Sequence, residues 1–214
     1  MAAISAGEKR GGEASSTPSA VIASAIAATA YRPRGFPGIL NRLGKPPHTP
    51  YSPDLADVSV PVFELADMVD AVAEDADWAN RQARGLVARR VEWRRCRLTG
   101  AELAEAALSD VTLEECRLDL TGLRMARLER VAFRDCRMAE CDLYEAELKD
   151  VLFERCDLRE ATVSGVHLTR VELRGCRLDG IGGLASLGGV RMPWGDVIEN
   201  GHLFAAALGV EIID

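Results

Sequence analysis

The 214-residue chain has only three histidines, and only three of its 26 basic residues are lysines. His48, His167 and His202 fall in three separate regions of the chain. No nucleophile, base and orienting acid can be assembled around them. There is no glycine-rich phosphate loop after a strand, no two-histidine metal motif and no carboxylate pair isolated in an apolar setting. An enzyme is therefore not expected, and no catalytic residue, metal ligand or cofactor is assigned. No apolar run is long enough to span a bilayer, which argues against a membrane-spanning helix. The middle of the chain also lacks both ordinary periodicities, the three-and-four spacing of an amphipathic helix and the long alternation of a flat strand.

What is present there is a different interval. Cys96, Cys116, Cys136, Cys156 and Cys176 recur at a constant step of twenty positions, the mark of a solenoid. Within each step the true repeat is five. Its central position reads Leu98, Leu103, Leu108, Leu113, Leu118, Leu123, Leu128, Phe133, Met138, Leu143, Leu148, Phe153, Leu158, Val163, Leu168, Leu173 and Leu178. Two residues before each stands a small or β-branched residue, and the other three places carry almost all the charge. Period five fits a chain that turns a corner every five residues, sending the large residue and the small one inward. Four such sides close a square coil. Successive coils then stack at the strand spacing of about 4.8 Å, so each residue lies over its equivalent one coil later. The cysteines form one interior column and Val111, Val131, Val151 and Val171 another. Small buried apolar groups are the expected role of those thiols, in place of a disulfide or metal site. They point to a reducing cytoplasm.

The motif of a small residue, a polar one, Leu or Phe and two variable residues resembles that of the pentapeptide-repeat proteins, a bacterial family. The resemblance covers roughly residues 89–183 and implies an all-β fold, a right-handed quadrilateral β-helix. In that family the solenoid is usually closed by a C-terminal helix that often also makes a dimer. The residue before the central one, typically Asp or Asn in the family, is often Arg here: Arg97, Arg117, Arg127, Arg137 and Arg177.

The ends of the chain read differently. Residues 1–53 hold seven prolines and six bases against two acids, and are expected to be a disordered basic leader. The Ala-rich stretch Ala20–Ala30 loosely imitates a signal peptide, but is short and weakly apolar. Residues 54–88 form an acidic cap region, where the helical spacing of Leu65, Met68, Val69 and Val72 predicts a short helix. Ala76 with Trp78 and Val91 with Trp93 keep the five-residue frame and suggest a degenerate first coil. Residues 184–214 are expected to carry a partial coil at Leu187 and Val190, then a cap helix begun by a capping box of Asp196 and Glu199 and stopped by Gly209. A terminal strand is expected at Val210–Ile213. Trp194, Phe204, Leu208 and Ile212 either cover the last coil or pair two subunits.

If the interior only holds shape, function falls to the outer faces. Nine arginines against five acids make the first face net +4, while six acids against Arg159 make the second −5. The acidic set is Glu102, Asp119, Glu140, Asp142, Glu160 and Asp179. Elsewhere opposite charges alternate down columns, as in Asp110, Arg130, Asp150 and Arg170, and are expected to pair across coils. The pattern suggests a non-catalytic protein-interaction module or scaffold of unnamed partner. Some members of the resembled family imitate duplex DNA and bind type II topoisomerases such as gyrase, protecting against quinolones, and the acidic face is the feature such binding would use. With a formal charge of −7, direct binding of nucleic acid is not expected.

Overall fold

Because the inward positions recur every five residues, the backbone must turn a corner at the same interval, and the structure does this with one conformation. The computed structural model describes residues 47–50 and 65–213. Every fifth residue from Asp70 to Gly180 is left-handed, with φ between +50° and +72°, and eighteen of these are not glycine. Each such residue costs about 1–2 kcal/mol in isolation. At two of the four corners a turn hydrogen bond closes over it, as Ala101 N–H to Leu98 O (2.8 Å) and Ala106 N–H to Leu103 O (3.0 Å). Of the other two corners, one lies within the long strands and the other directly follows their last residue.

Those strands are β1 (Met68–Glu74), β2 (Val87–Arg94), β3 (Ala107–Glu114), β4 (Arg127–Arg134), β5 (Glu147–Glu154), β6 (His167–Thr169) and β7 (Glu172–Arg174). They form one parallel sheet in the order β1-β2-β3-β4-β5-β6, with β7 also on β5. Every pair is in register at one full coil, for example Val91 with Val111 and Phe133 with Phe153. The first and second faces are held by single bridges in the same register, such as Arg97 to Arg117 and Glu102 to Gly122. The result is a four-sided β-helix.

All seventeen small positions are buried, and so are sixteen of the seventeen central ones, Leu168 being half-buried. The Phe133 and Phe153 rings stack at 4.9 Å between centroids and 3° between planes, the spacing of the coils. The cysteine column has a bonding role as well as a packing one. Each of its thiols donates to a carbonyl of the coil before, from Cys96 to Ala73 O (3.4 Å) to Cys176 to Phe153 O (3.5 Å). Thr121 makes the same bond to Leu98 O at 2.9 Å. All six cysteines are free and buried.

Expectations for the two ends of the coil are corrected. Met68–Glu74 is strand and not helix, because Met68, Ala71 and Ala73 already keep the five-residue frame and face inward. The first coil is complete. Its central positions include the small Ala73 and Ala88, and the space they leave goes to Trp78 and Trp93, packed edge to face at 5.6 Å. At the other end, the cap is two short helices, α1 (Trp194–Glu199) and α2 (Gly201–Ala207), divided at Asn200. The Asn200 amide donates to Asp196 O (2.8 Å), competing with helix continuation. No capping box forms: Asp196 instead accepts the Gly175 N–H (2.6 Å) and ties α1 to the last coil. Gly209 does end the helix, with φ +71° and the Val210 N–H on Ala205 O. Val210–Ile213 is exposed and is not a strand. The leader lies outside the described residues except for 47–50, as does 54–64 of the cap region.

The last coil closes at Leu187, which is buried, and Arg191 then pairs with Glu172, one residue short of the usual step. Gly183 stands where a large central residue would fall. A Cβ there would lie 2.6 Å from the Ser164 backbone, so only glycine lets the chain cross. Just inside is a dry apolar void of about 20 Å³ lined by residues including Leu143, Val163, Leu173 and Leu187.

Candidate interaction faces

Since the interior side chains are buried among themselves and the surrounding backbone, the chemistry available to a partner is that of the outward positions. Much of the outer charge is consumed internally. Along the corner before the fourth face, Asp70, Arg90, Asp110, Arg130, Asp150 and Arg170 alternate, and each Arg forks onto the Asp one coil before it. Arg130 holds Asp110 at 2.6 and 3.0 Å, and Arg170 holds Asp150 at 2.5 and 2.6 Å. The next corner repeats this with Asp135 and Arg155 at 2.6 and 2.7 Å. The hydrogen bond from Arg155 holds the Asp135 carboxyl below its usual range against the opposing effect of burial. The pairs are directional, linking alternate coil boundaries.

The ladder expected through Arg94, Glu114, Arg134, Glu154 and Arg174 is less regular. Arg134 meets Glu154 at 3.4 Å, but Arg94 turns to Glu92 and Arg174 to Glu172, each within its own strand.

The six acids of the second face divide into two sets. Glu102 accepts the Ala104 N–H (3.2 Å), and its carboxylate lies over Gly122, where a Cβ would come within 2.7 Å. Asp142 accepts the Tyr144 N–H (2.9 Å) and pairs with Arg124 (3.1 Å). Asp119 pairs with Arg137 at 3.7 Å. The carboxylates of Glu140, Glu160 and Asp179 make no salt bridge or hydrogen bond among the described residues, since the neighbouring Arg159 forks onto Asp157 instead.

Beside this face the structure shows exposed apolar groups that charge counting missed. Leu120 and Met125 occupy two successive left-handed corners and are 56% and 41% exposed. Above them Tyr144 lies under the Arg124 guanidinium, 4.7 Å from its ring centroid. The signal was available, since both apolar residues stand at places the repeat otherwise gives to polar ones.

Of the four apolar cap residues, Phe204 packs half-buried against the last coil. Trp194, Leu208 and Ile212 are 75%, 81% and 64% exposed, and Ile198, Val210 and Ile213 are exposed with them. Burial pushes the Cys141 thiol up to about 12. Among the described residues no cluster of His, Cys, Asp and Glu suits a metal ion, and no helix is long and apolar enough to cross a membrane.

A four-sided coil with its large side chains inside and its charges outside defines a β-solenoid of five-residue repeats. The family model for the pentapeptide repeat region matches residues 88–163 and 126–182, which makes this stretch of the chain a pentapeptide-repeat region. No curated protein matches the sequence. Solved structures similar to it include trypsin-treated QnrB1, a plasmid-mediated fluoroquinolone resistance protein, at 16% identity and TM-score 0.29 over 67% of this chain and 88% of that one. HetL of Nostoc sp. strain PCC 7120, involved in heterocyst differentiation regulation, is 20% identical with TM-score 0.36 over 51% and 61%. Rfr23 of Cyanothece 51142 is 26% identical with TM-score 0.24 over 45% and 62%.

Proposed function

We propose that this chain is a non-catalytic scaffold that binds a protein partner on its second face and pairs with a second copy through its C-terminal cap. The observation that carries the first half is the set Glu140, Glu160 and Asp179. Among the described residues these carboxylates make no salt bridge or hydrogen bond while most charges around them are paired, and the corner column of Glu140 and Glu160 continues to the exposed Leu120. A surface of that composition suits a basic partner with an apolar anchor, with charge steering the encounter and buried apolar contact supplying affinity. The cap half is supported by Trp194, Ile198, Leu208 and Ile212, a group of large apolar side chains left uncovered at one end of the rod. A reducing cytoplasm is the compartment that suits six unpaired thiols.

The test uses full-length protein and a variant carrying Glu140→Gln, Glu160→Gln and Asp179→Asn. The unaltered protein is expected to retain a partner that high salt and the triple variant both release. Retention by the triple variant equal to that of the unaltered protein would move the binding site elsewhere. A type II topoisomerase is the specific candidate for the acidic face, and the same two proteins in a gyrase supercoiling assay decide it. Inhibition lost in the triple variant supports that partner, and no effect at micromolar excess removes it. For the cap, light scattering should report a dimer that Trp194→Ser with Leu208→Ser converts to monomer.

A further inference from the structure

The fourth face is the one whose central outward column is buried at every position but Thr112, which is half-buried. Its central column reads Glu92, Thr112, Ala132, Leu152 and Glu172. Side chains alternate along a strand, and Val131 and Phe133 point inward, so Ala132 points out; the same holds for Leu152 between Val151 and Phe153. Yet Ala132 is 0% and Leu152 3% exposed, and Glu92 and Glu172 are 8% and 5%. On the first face, by contrast, Arg97 and Arg137 of the equivalent column remain exposed. The side chain of Asp150, at the corner leading into the fourth face, is 2% exposed.

At that corner lies a segment more than a hundred positions away in sequence. The His48 backbone N–H donates to Asp150 Oδ1 at 3.2 Å, and Pro47 is buried. Pro47 and Pro50 have no N–H and fixed φ, so the segment is pre-set as an extended strap with few donors to satisfy. One of its two remaining N–H groups is the one bonded to Asp150.

We infer that the fourth face is a docking surface whose occupant is this chain's own Pro47–Pro50 segment, anchored by the His48 N–H on Asp150 over the strip of Ala132 and Leu152. The strap is thereby fixed along the rod, and the second face is left open to the partner.

A thiol-labelling experiment on the full chain tests this, because the native cysteines are all buried. Leu152→Cys is expected to label far more slowly than Glu147→Cys, an exposed position on the same strand. Adding His48→Pro, which deletes the donor, should speed labelling of Leu152→Cys about tenfold or more, the scale of a hydrogen bond to a charged group. His48→Ala, which keeps the N–H, should leave the rate unchanged. Ala132→Cys provides the same readout with a smaller change of volume, should the leucine variant fold poorly. Labelling of either cysteine at the rate of Glu147→Cys in the otherwise unaltered chain, or no response to His48→Pro, overturns the inference.

Discussion

Filling the void beneath the last coil should stabilise the protein, and Val163→Leu is the substitution that reaches it. The cavity of about 20 Å³ is lined by nine apolar residues, Val163 among them, and no polar group offers a water a partner. One buried methylene contributes about 0.8 kcal/mol, and removing 20 Å³ of cavity adds about 0.5 kcal/mol at 24 cal/mol per Å³. A gain of about 1 kcal/mol, allowing for some loss of rotamer freedom, corresponds to a rise in Tm of about 2–4 °C for a domain of this size. Thermal melts followed by far-ultraviolet circular dichroism resolve that shift. Leu143→Ala enlarges the same space and should cost about 2–5 kcal/mol, so the two variants bracket the unaltered protein from opposite sides. A Val163→Leu protein that melts at or below the unaltered one would refute the reasoning, showing that the closing coil is already at its packing limit.

Gly183→Ala should destabilise the C-terminal closure by at least about 2 kcal/mol, since it combines a left-handed φ of +81° with a clash against the Ser164 backbone. The thiol of Cys176, at that end of the column, should then react with labelling reagents before the other five. Leu143→Asp places an unpaired charge in the solid interior and should abolish cooperative folding; retention of the β dichroism signal at an unchanged Tm would contradict it. The hydrogen bonds that Asp75, Asp135 and Asp157 accept, chiefly from arginine, hold them below their unfolded values. Depressed carboxylates contribute stability above the unfolded pKa of about 3.9 and lose it as pH falls through the folded value. Tm should thus be nearly flat from about pH 7 to about 5 and fall below about 4, more shallowly in Asp135→Asn.

The interior was legible in the sequence because each column must hold like over like, and seventeen consecutive small-and-large pairs leave no other frame. Where volume is shared between columns the signal weakens. The first coil was read only in part, since Ala73 and Ala88 occupy places the motif reserves for large residues, and Trp78 and Trp93 make up the volume from neighbouring sides. The corners themselves carry no residue signature: left-handed positions are filled by Asp and Gly but also by Arg, Glu, Leu and Met. For the outer faces the signs of the charges were legible and their pairing was not. A column predicts contacts at one full coil, whereas Arg124 reaches Asp142 and Arg137 reaches Asp119 at two positions less than a coil, from one face to the next. Covering of Ala132 and Leu152 depends on a segment distant in sequence, which no local pattern reports.

The single missing residue between Glu172 and Arg191 sets the length of the rod. A parallel coil offers its unpaired edge as a template for another chain, and a stack in perfect register could continue onto the end of a neighbouring molecule. With the final step one residue short, the columns no longer superpose on a following coil, so cysteine would not fall over cysteine nor valine over valine. The bond from Gly175 to Asp196 then places α1 on this offset edge. Insertion of one residue between Gly188 and Val190 would restore the step and turn a finite particle into one able to add to itself, with fibre growth as the visible result.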